Sequence, residues 1–218
     1  MTGTSVAALL QRFSIYGRYY SLYDGARQFE MRSHLEIFEV GRSWRQIVSA
    51  DADLIAIMMN PGGSRPLATP EADGWAPAVP DRTQYQLMKL ALHAQARGMR
   101  LSHIRVINLS DLRTPKSAEL FTALRQFQDH HHSVFGGSRQ AELARALGAK
   151  HIPVLRAWGL APALKTLAAK AVECTASRVV LGLTDNSLAY RHPLPQRADF
   201  QQAWLTSLSL QVDRLVAG

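Results

Sequence analysis

The sequence has one cysteine, Cys174. That excludes an intrachain disulfide framework, a four-cysteine zinc site and a cysteine-ligated iron–sulfur cluster. No apolar run approaches the roughly 20 residues that span a bilayer. The opening MTGTSVAALLQRF carries neither a basic leader nor a long apolar stretch, so it does not read as a secretion signal. These absences predict a soluble, cytoplasmic protein without a membrane partner. There is no internal repeat, low-complexity tract or glycine-rich nucleotide fingerprint. Acidic residues are few, 17 against 25 Lys and Arg, for a net charge of +8. No metal site and no cofactor are expected. His130-His131-His132 has no carboxylates at ligand spacing beside it and reads as a solvated loop. A triad of Ser64, Asp111 and His192 lacks the nucleophile-elbow pattern around Ser64.

Of the 218 residues, 47% are hydrophobic and 19% charged, which fits one globular domain with a full core. Twenty of the basic residues are arginine, whose planar fork matches two phosphate oxygens at once. The balance points to a polyanionic partner. Residues 1–50 read as an amphipathic helix, with Val6, Leu9, Leu10 and Phe13 on one side, followed by a meander of short strands. The tyrosines 16, 19, 20 and 23 interleave there with Arg12, Arg18 and Arg27. Half-buried tyrosines on an outer strand are the favoured reading over a nucleic-acid platform.

From residue 53 four short apolar runs appear: DLIAIMM (53–59), IRVINL (104–109), IPVLRAW (152–158) and RVVLGL (178–183). Helical spacings lie between them at 83–97, 117–127, 138–147 and 161–172. A terminal helix over 198–216 carries Phe200, Trp204, Leu208, Val212 and Leu215. Buried strands alternating with helices predict an α/β fold, a three-layer α/β/α sandwich around a mainly parallel four-stranded sheet, with extra N-terminal strands. Residues 63–82, with four prolines and no periodicity, read as a long loop. Cys174 reads as a small core residue.

In open α/β sheets ligands bind beyond the carboxyl ends of the strands. The residues delivered there are Asn60-Pro61-Gly62-Gly63, then Asn108, then Trp158-Gly159, then Arg191-His192-Pro193-Leu194. Each has a plain alternative: a turn at Asn60-Pro61, a helix cap at Asn108, a core side chain at Trp158, a surface loop at His192. Their joint order favours one convergent site.

The ordered set NPGG, VINL, AWG and RHPLP resembles the uracil-DNA glycosylase superfamily, with the Asn-Pro-Gly form of its mismatch-specific branch. It also resembles an uncharacterised bacterial family with Asn-Pro-Ser, Asn-Leu, Trp-Gly and Arg-His-Pro-Leu motifs. The likeness covers about 53–197. Met58 departs from it, standing where many members have glycine, and Leu194 follows Pro193 where serine is common.

The resemblance implies a monofunctional DNA glycosylase that flips a nucleotide out of double-stranded DNA and leaves an abasic site. In it Asn60 orients the attacking water and His192 stabilises the departing base. Asn108 reads the base edge, Pro61, Gly62 and Gly63 shape the turn against it, and Trp158 joins the site. Arg191 clamps a flanking phosphate, and Leu194 fills the gap left by the flipped base. The strictly uracil-specific branch has a bulky aromatic at the place of Gly62. Its absence implies a modified or damaged pyrimidine, including bulky 5-substituted cytosines of viral DNA, with the loop 63–82 as an enlarged wall and a role in antiviral defence. The alternatives are a catalytically inert nucleic-acid-binding module or a small-molecule nucleoside hydrolase on the same fold.

Overall fold

A computed structural model describes residues 4–127, 130–159, 161–186 and 188–217. A short helix, Val6–Arg12 (α1), runs directly into a long hairpin of Phe13–Asp24 (β1) and Arg27–Glu39 (β2). A two-residue turn joins the strands, and its Gly25 has φ +58°, a conformation that matches the strand twist and favours glycine. The expected meander of short strands is therefore one antiparallel ribbon. Apolar and aromatic cross-strand pairs such as Leu22↔Phe29 and Tyr20↔Met31 carry the pairing through its polar stretches. In α1 only Leu9 is buried. Val6 and Leu10 are exposed and Phe13 already belongs to β1, so the expected four-residue apolar face does not form.

The remaining elements follow in order: Trp44–Ser49 (α2), Leu54–Met58 (β3), Trp75–Pro77 (β4), Arg82–Ala96 (α3), His103–Asn108 (β5), Ser117–Leu124 (α4), Gln140–Leu147 (α5), Val154–Arg156 (β6), Lys165–Cys174 (α6), Val180–Leu181 (β7), Thr184–Asn186 (β8), Ala189–Tyr190 (β9) and Ala198–Ala217 (α7). The main sheet has seven strands in the order β4-β1-β2-β5-β3-β6-β7, not four. It is mixed. β5, β3, β6 and β7 pair parallel, while β4, β1, β2 and β5 pair antiparallel. The supposed loop 63–82 contains β4, an edge strand on β1. Prolines are tolerated there because an edge strand leaves some amides unpaired.

Strand alternation divides the core. Leu54, Ala56 and Met58 of β3 face one side, with Leu87 and Leu90 of α3 and Trp204, Leu208 and Val212 of α7. Ile55 and Ile57 face the other, with Leu143 of α5 and Leu167 and Ala171 of α6. Helices thus cover both faces of a mixed α/β fold. Phe200 and Leu215 of α7 are exposed, and so is Cys174, contrary to its core reading. Among the described residues no helix is long and apolar enough to cross a membrane.

Candidate functional site

Alternation along β5 places Ile104 and Val106 in the core facing α3. Asn108, the next residue in phase, reaches the same face where the apolar packing ends. There it lines a cavity of about 480 Å³, within the roughly 300–1,000 Å³ typical of small-ligand sites. Asn60, Pro61 and Gly62 line the cavity from the loop after β3, and His192 and Leu194 from the loop after β9. Asp81, Gln84 and Leu87 line it from the start of α3. A capping box fixes that helix start: the Asp81 carboxylate accepts from the Gln84 amide at 2.9 Å, and the Gln84 side chain accepts from the Asp81 amide at 3.1 Å.

Asn108 is fully buried, and neither Oδ1 nor Nδ2 has a hydrogen-bond partner among the described residues. A buried polar group left unpaired costs about 1–3 kcal/mol, so this amide needs a ligand or water. It caps no helix. Asn60 is oriented instead. Its Nδ2 donates to the carbonyl oxygens of Leu112 (3.2 Å) and Thr114 (2.9 Å). Two carbonyls can be satisfied only by the amide nitrogen, so Oδ1 is the atom left for the cavity. At His192, Nδ1 accepts from the Leu194 amide at 3.1 Å. Burial holds the ring's pKa below its usual value, against the pull of Asp81. The neutral ring therefore carries its proton on Nε2.

Gly62 lines the cavity with φ +61°, and a Cβ there would meet nothing within 4 Å. The space above it is open as expected, but the turn itself also demands glycine. Of the expected loop wall 63–82 only Asp81, the N-cap of α3, lines the cavity, because β4 ties the preceding segment to β1. Gly63 is also outside it, facing Pro115.

Two further candidates lie outside the cavity. Trp158 is 2% exposed and packs edge-on against Tyr190, with Nε1 donating to the Leu188 carbonyl at 2.8 Å. It is a core residue that does not line the cavity. Arg191 is exposed and lines an adjoining cavity of about 450 Å³ that shares His192 and Pro195 with the first. Ser64 and Asp111 do not meet His192 there either. Ser64 lies beside Tyr19, and Asp111 binds Tyr20 and Arg139. His132 is buried, with Nδ1 beside Ser110 Oγ and its ring stacked on Phe127, so that residue is not in a solvated loop.

Sequence reading missed Arg32. The β1–β2 register shifts between Arg18↔His34 and Tyr19↔Arg32, leaving Ser33 as an extra residue. Such a bulge re-aims the side chains beyond it. Without it Arg32 would face away from Leu35; with it both line the cavity. Arg32 is 3% exposed, and its Nε and Nη1 have no partner among the described residues. Desolvation lowers its pKa, opposed by Tyr19, Asp81 and Asp111. No sequence signal marks the position of a bulge.

No family model, curated protein or solved structure matches the chain.

Proposed function

We propose that the protein is a DNA glycosylase acting in the cytoplasm on double-stranded DNA, and that it hydrolyses the N-glycosidic bond of a flipped, modified or damaged pyrimidine. The observation that carries this reading is Asn108: a fully buried amide, without a partner at either atom among the described residues, lining a cavity that also receives Asn60 and His192. A pyrimidine edge offers one donor and one acceptor side by side, the complement of that amide. The motif order and the parallel set β5-β3-β6-β7 are further support for a glycosylase-like arrangement.

In this reading Oδ1 of Asn60 accepts a hydrogen bond from water and aims its oxygen at C1′ of the sugar. An amide is a weak base, which suffices for an oxocarbenium-like centre. As the bond from C1′ to the base breaks, its electron pair leaves with the base. The Nε2–H of His192 donates to the oxygen on which negative charge grows, and such a donor contributes more in the transition state than in the ground state. Gly62 leaves room at the 5-position, which favours substituted pyrimidines, the 5-substituted cytosines of viral DNA among them. Arg191, outside the cavity but exposed beside it, suits a flanking phosphate. Leu194, which lines the cavity beside His192, fills the gap left by the flipped base in this reading.

The test is base release from matched duplexes carrying uracil, 5-hydroxymethyluracil, 5-hydroxymethylcytosine or glycosylated 5-hydroxymethylcytosine, read by strand scission at abasic sites and mass spectrometry of the freed base. The expected result is release of at least one 5-substituted base. Release from none of them, with hydrolysis of free nucleosides, would favour a small-molecule nucleoside hydrolase; tight duplex binding without release would favour an inert binding module.

A further inference from the structure

We infer that Arg32 is a further catalytic residue of this cavity, the group whose guanidinium takes up the negative charge of the departing base. The inference rests on the glycosylase reading for its reaction, but on geometry of its own for the site. β2 and β5 are neighbours in the sheet, so Arg32 and Asn108 reach the cavity floor from adjacent strands. Both are buried, and Arg32 Nε and Nη1 and both Asn108 amide atoms lack partners among the described residues; together these atoms offer several N–H donors and a single acceptor, Asn108 Oδ1. The fitting ligand is therefore rich in acceptors on this side.

Charge sharpens the assignment. A buried cation without a partner costs several kcal/mol, and proteins keep one where a counter-charge arrives. Among the cavity-lining groups His192 is neutral, so it supplies a hydrogen bond but no charge. Arg32 is the cation the cavity brings to the same ligand; Asp81, which also lines the cavity, and Asp111 pull on it through space but form no ion pair with it among the described residues. A neutral base gains only ion–dipole attraction from Arg32. In the reaction the bond between C1′ and the base nitrogen breaks and its electron pair stays on the base. Water adds to C1′ and gives up a proton, which the base anion takes. Only that anion brings negative charge within hydrogen-bond reach of the partnerless Nε and Nη1 of Arg32, so its contribution falls on the transition state and the bond-breaking step. The Ser33 bulge is what delivers it: one inserted residue turns an otherwise outward arginine into the site.

The experiment uses the full chain and the variants Arg32→Met and Arg32→Lys. Single-turnover release is measured from duplexes carrying 5-hydroxymethyluracil, uracil and 5-fluorouracil, the last being the most acidic leaving group. Arg32→Met is expected to slow release by about 10²-fold with duplex affinity little changed, and Arg32→Lys to keep part of the rate. The loss should be smallest on 5-fluorouracil, because a better leaving group needs less help. Equal losses on all three bases, or a lowered melting temperature with a matching loss of affinity, would show a structural role and overturn the inference. A second measurement does not depend on base release: calorimetric binding of free 5-fluorouracil below and above the pH at which it ionises. Wild-type affinity should rise several-fold on ionisation and that of Arg32→Met should not. That result without release from any duplex would retain Arg32 as an anion-binding group and reject the glycosylase reading. No rise in the wild type would reject Arg32 as a charge acceptor.

Discussion

The backbone amide of Leu194 donates a 3.1 Å hydrogen bond to Nδ1 of His192. That contact fixes the tautomer, because a nitrogen that accepts cannot carry a proton.

Replacing His192 with Ala should slow single-turnover base release by about 10²–10³-fold while leaving duplex affinity nearly unchanged. The neutral ring is the working form. A second proton on Nδ1 would confront the Leu194 N–H and break the turn. Burial depresses the ring's pKa below 6.5, so the rate should stay level as pH falls through 6.5 and decline only at lower pH. A profile already falling above pH 6.5 would contradict the assignment.

Asn60→Ala should abolish base release. It also strips the Leu112 and Thr114 carbonyls of their donor, so a stability loss of about 1–2 kcal/mol is expected. Asn60→Asp sets a carboxylate oxygen against those same two carbonyls. At neutral pH it should melt lower than Asn60→Ala, and the gap should close as acidification protonates the new carboxyl. Thermal melts across pH measure both.

Asn108→Leu should raise the melting temperature while removing base release. The side chains are similar in volume, and the change eliminates two buried polar atoms that lack partners. A gain of about 1 kcal/mol corresponds to roughly 2–4 °C in a chain of this size. A lower melting temperature would show that the amide already has a structural partner, such as a buried water.

His34 lies near the Trp75 ring with Glu36, Glu142, Arg105 and Arg139 around it, and burial pushes its pKa down to about 4. The unfolded chain takes up this proton near pH 6.5 and the folded chain does not. The stability is thus complete above pH 6.5 and is lost as pH falls toward 4, on the order of 3 kcal/mol over the window. His34→Asn should flatten that part of a denaturation-versus-pH curve.

The parallel strands were legible because fully buried strands read as unbroken Ile, Val and Leu runs, as in Leu54–Met58 and His103–Asn108. Asn60 and Asn108 follow from where such strands end, whereas His192 comes after the antiparallel pair β8–β9 that succeeds the last of them. Trp158 was misplaced because one residue of phase decides which face a strand side chain takes, and its indole points to the α5–α6 side. β4 was hidden by its prolines, and Arg32 by a register shift that alternating polarity cannot encode. Cys174 was misjudged because its alanine-rich surroundings say little about which side of a short helix is covered.

The cavity is walled by stretches of chain that are far apart in sequence: Arg32, Asn60 to Gly62, Asp81 to Leu87, Asn108 to Ser117, and His192 to Gln196. No local segment contains half of it. Each contact of such long range closes a large loop at an entropic cost, so the cavity exists only when these distant segments are all in place. Ligand binding must then report completion of the whole fold. Amide hydrogens in β2 and in α3 and β5, although β2 is distant from the other two along the chain, should gain protection from exchange together when a ligand occupies the cavity.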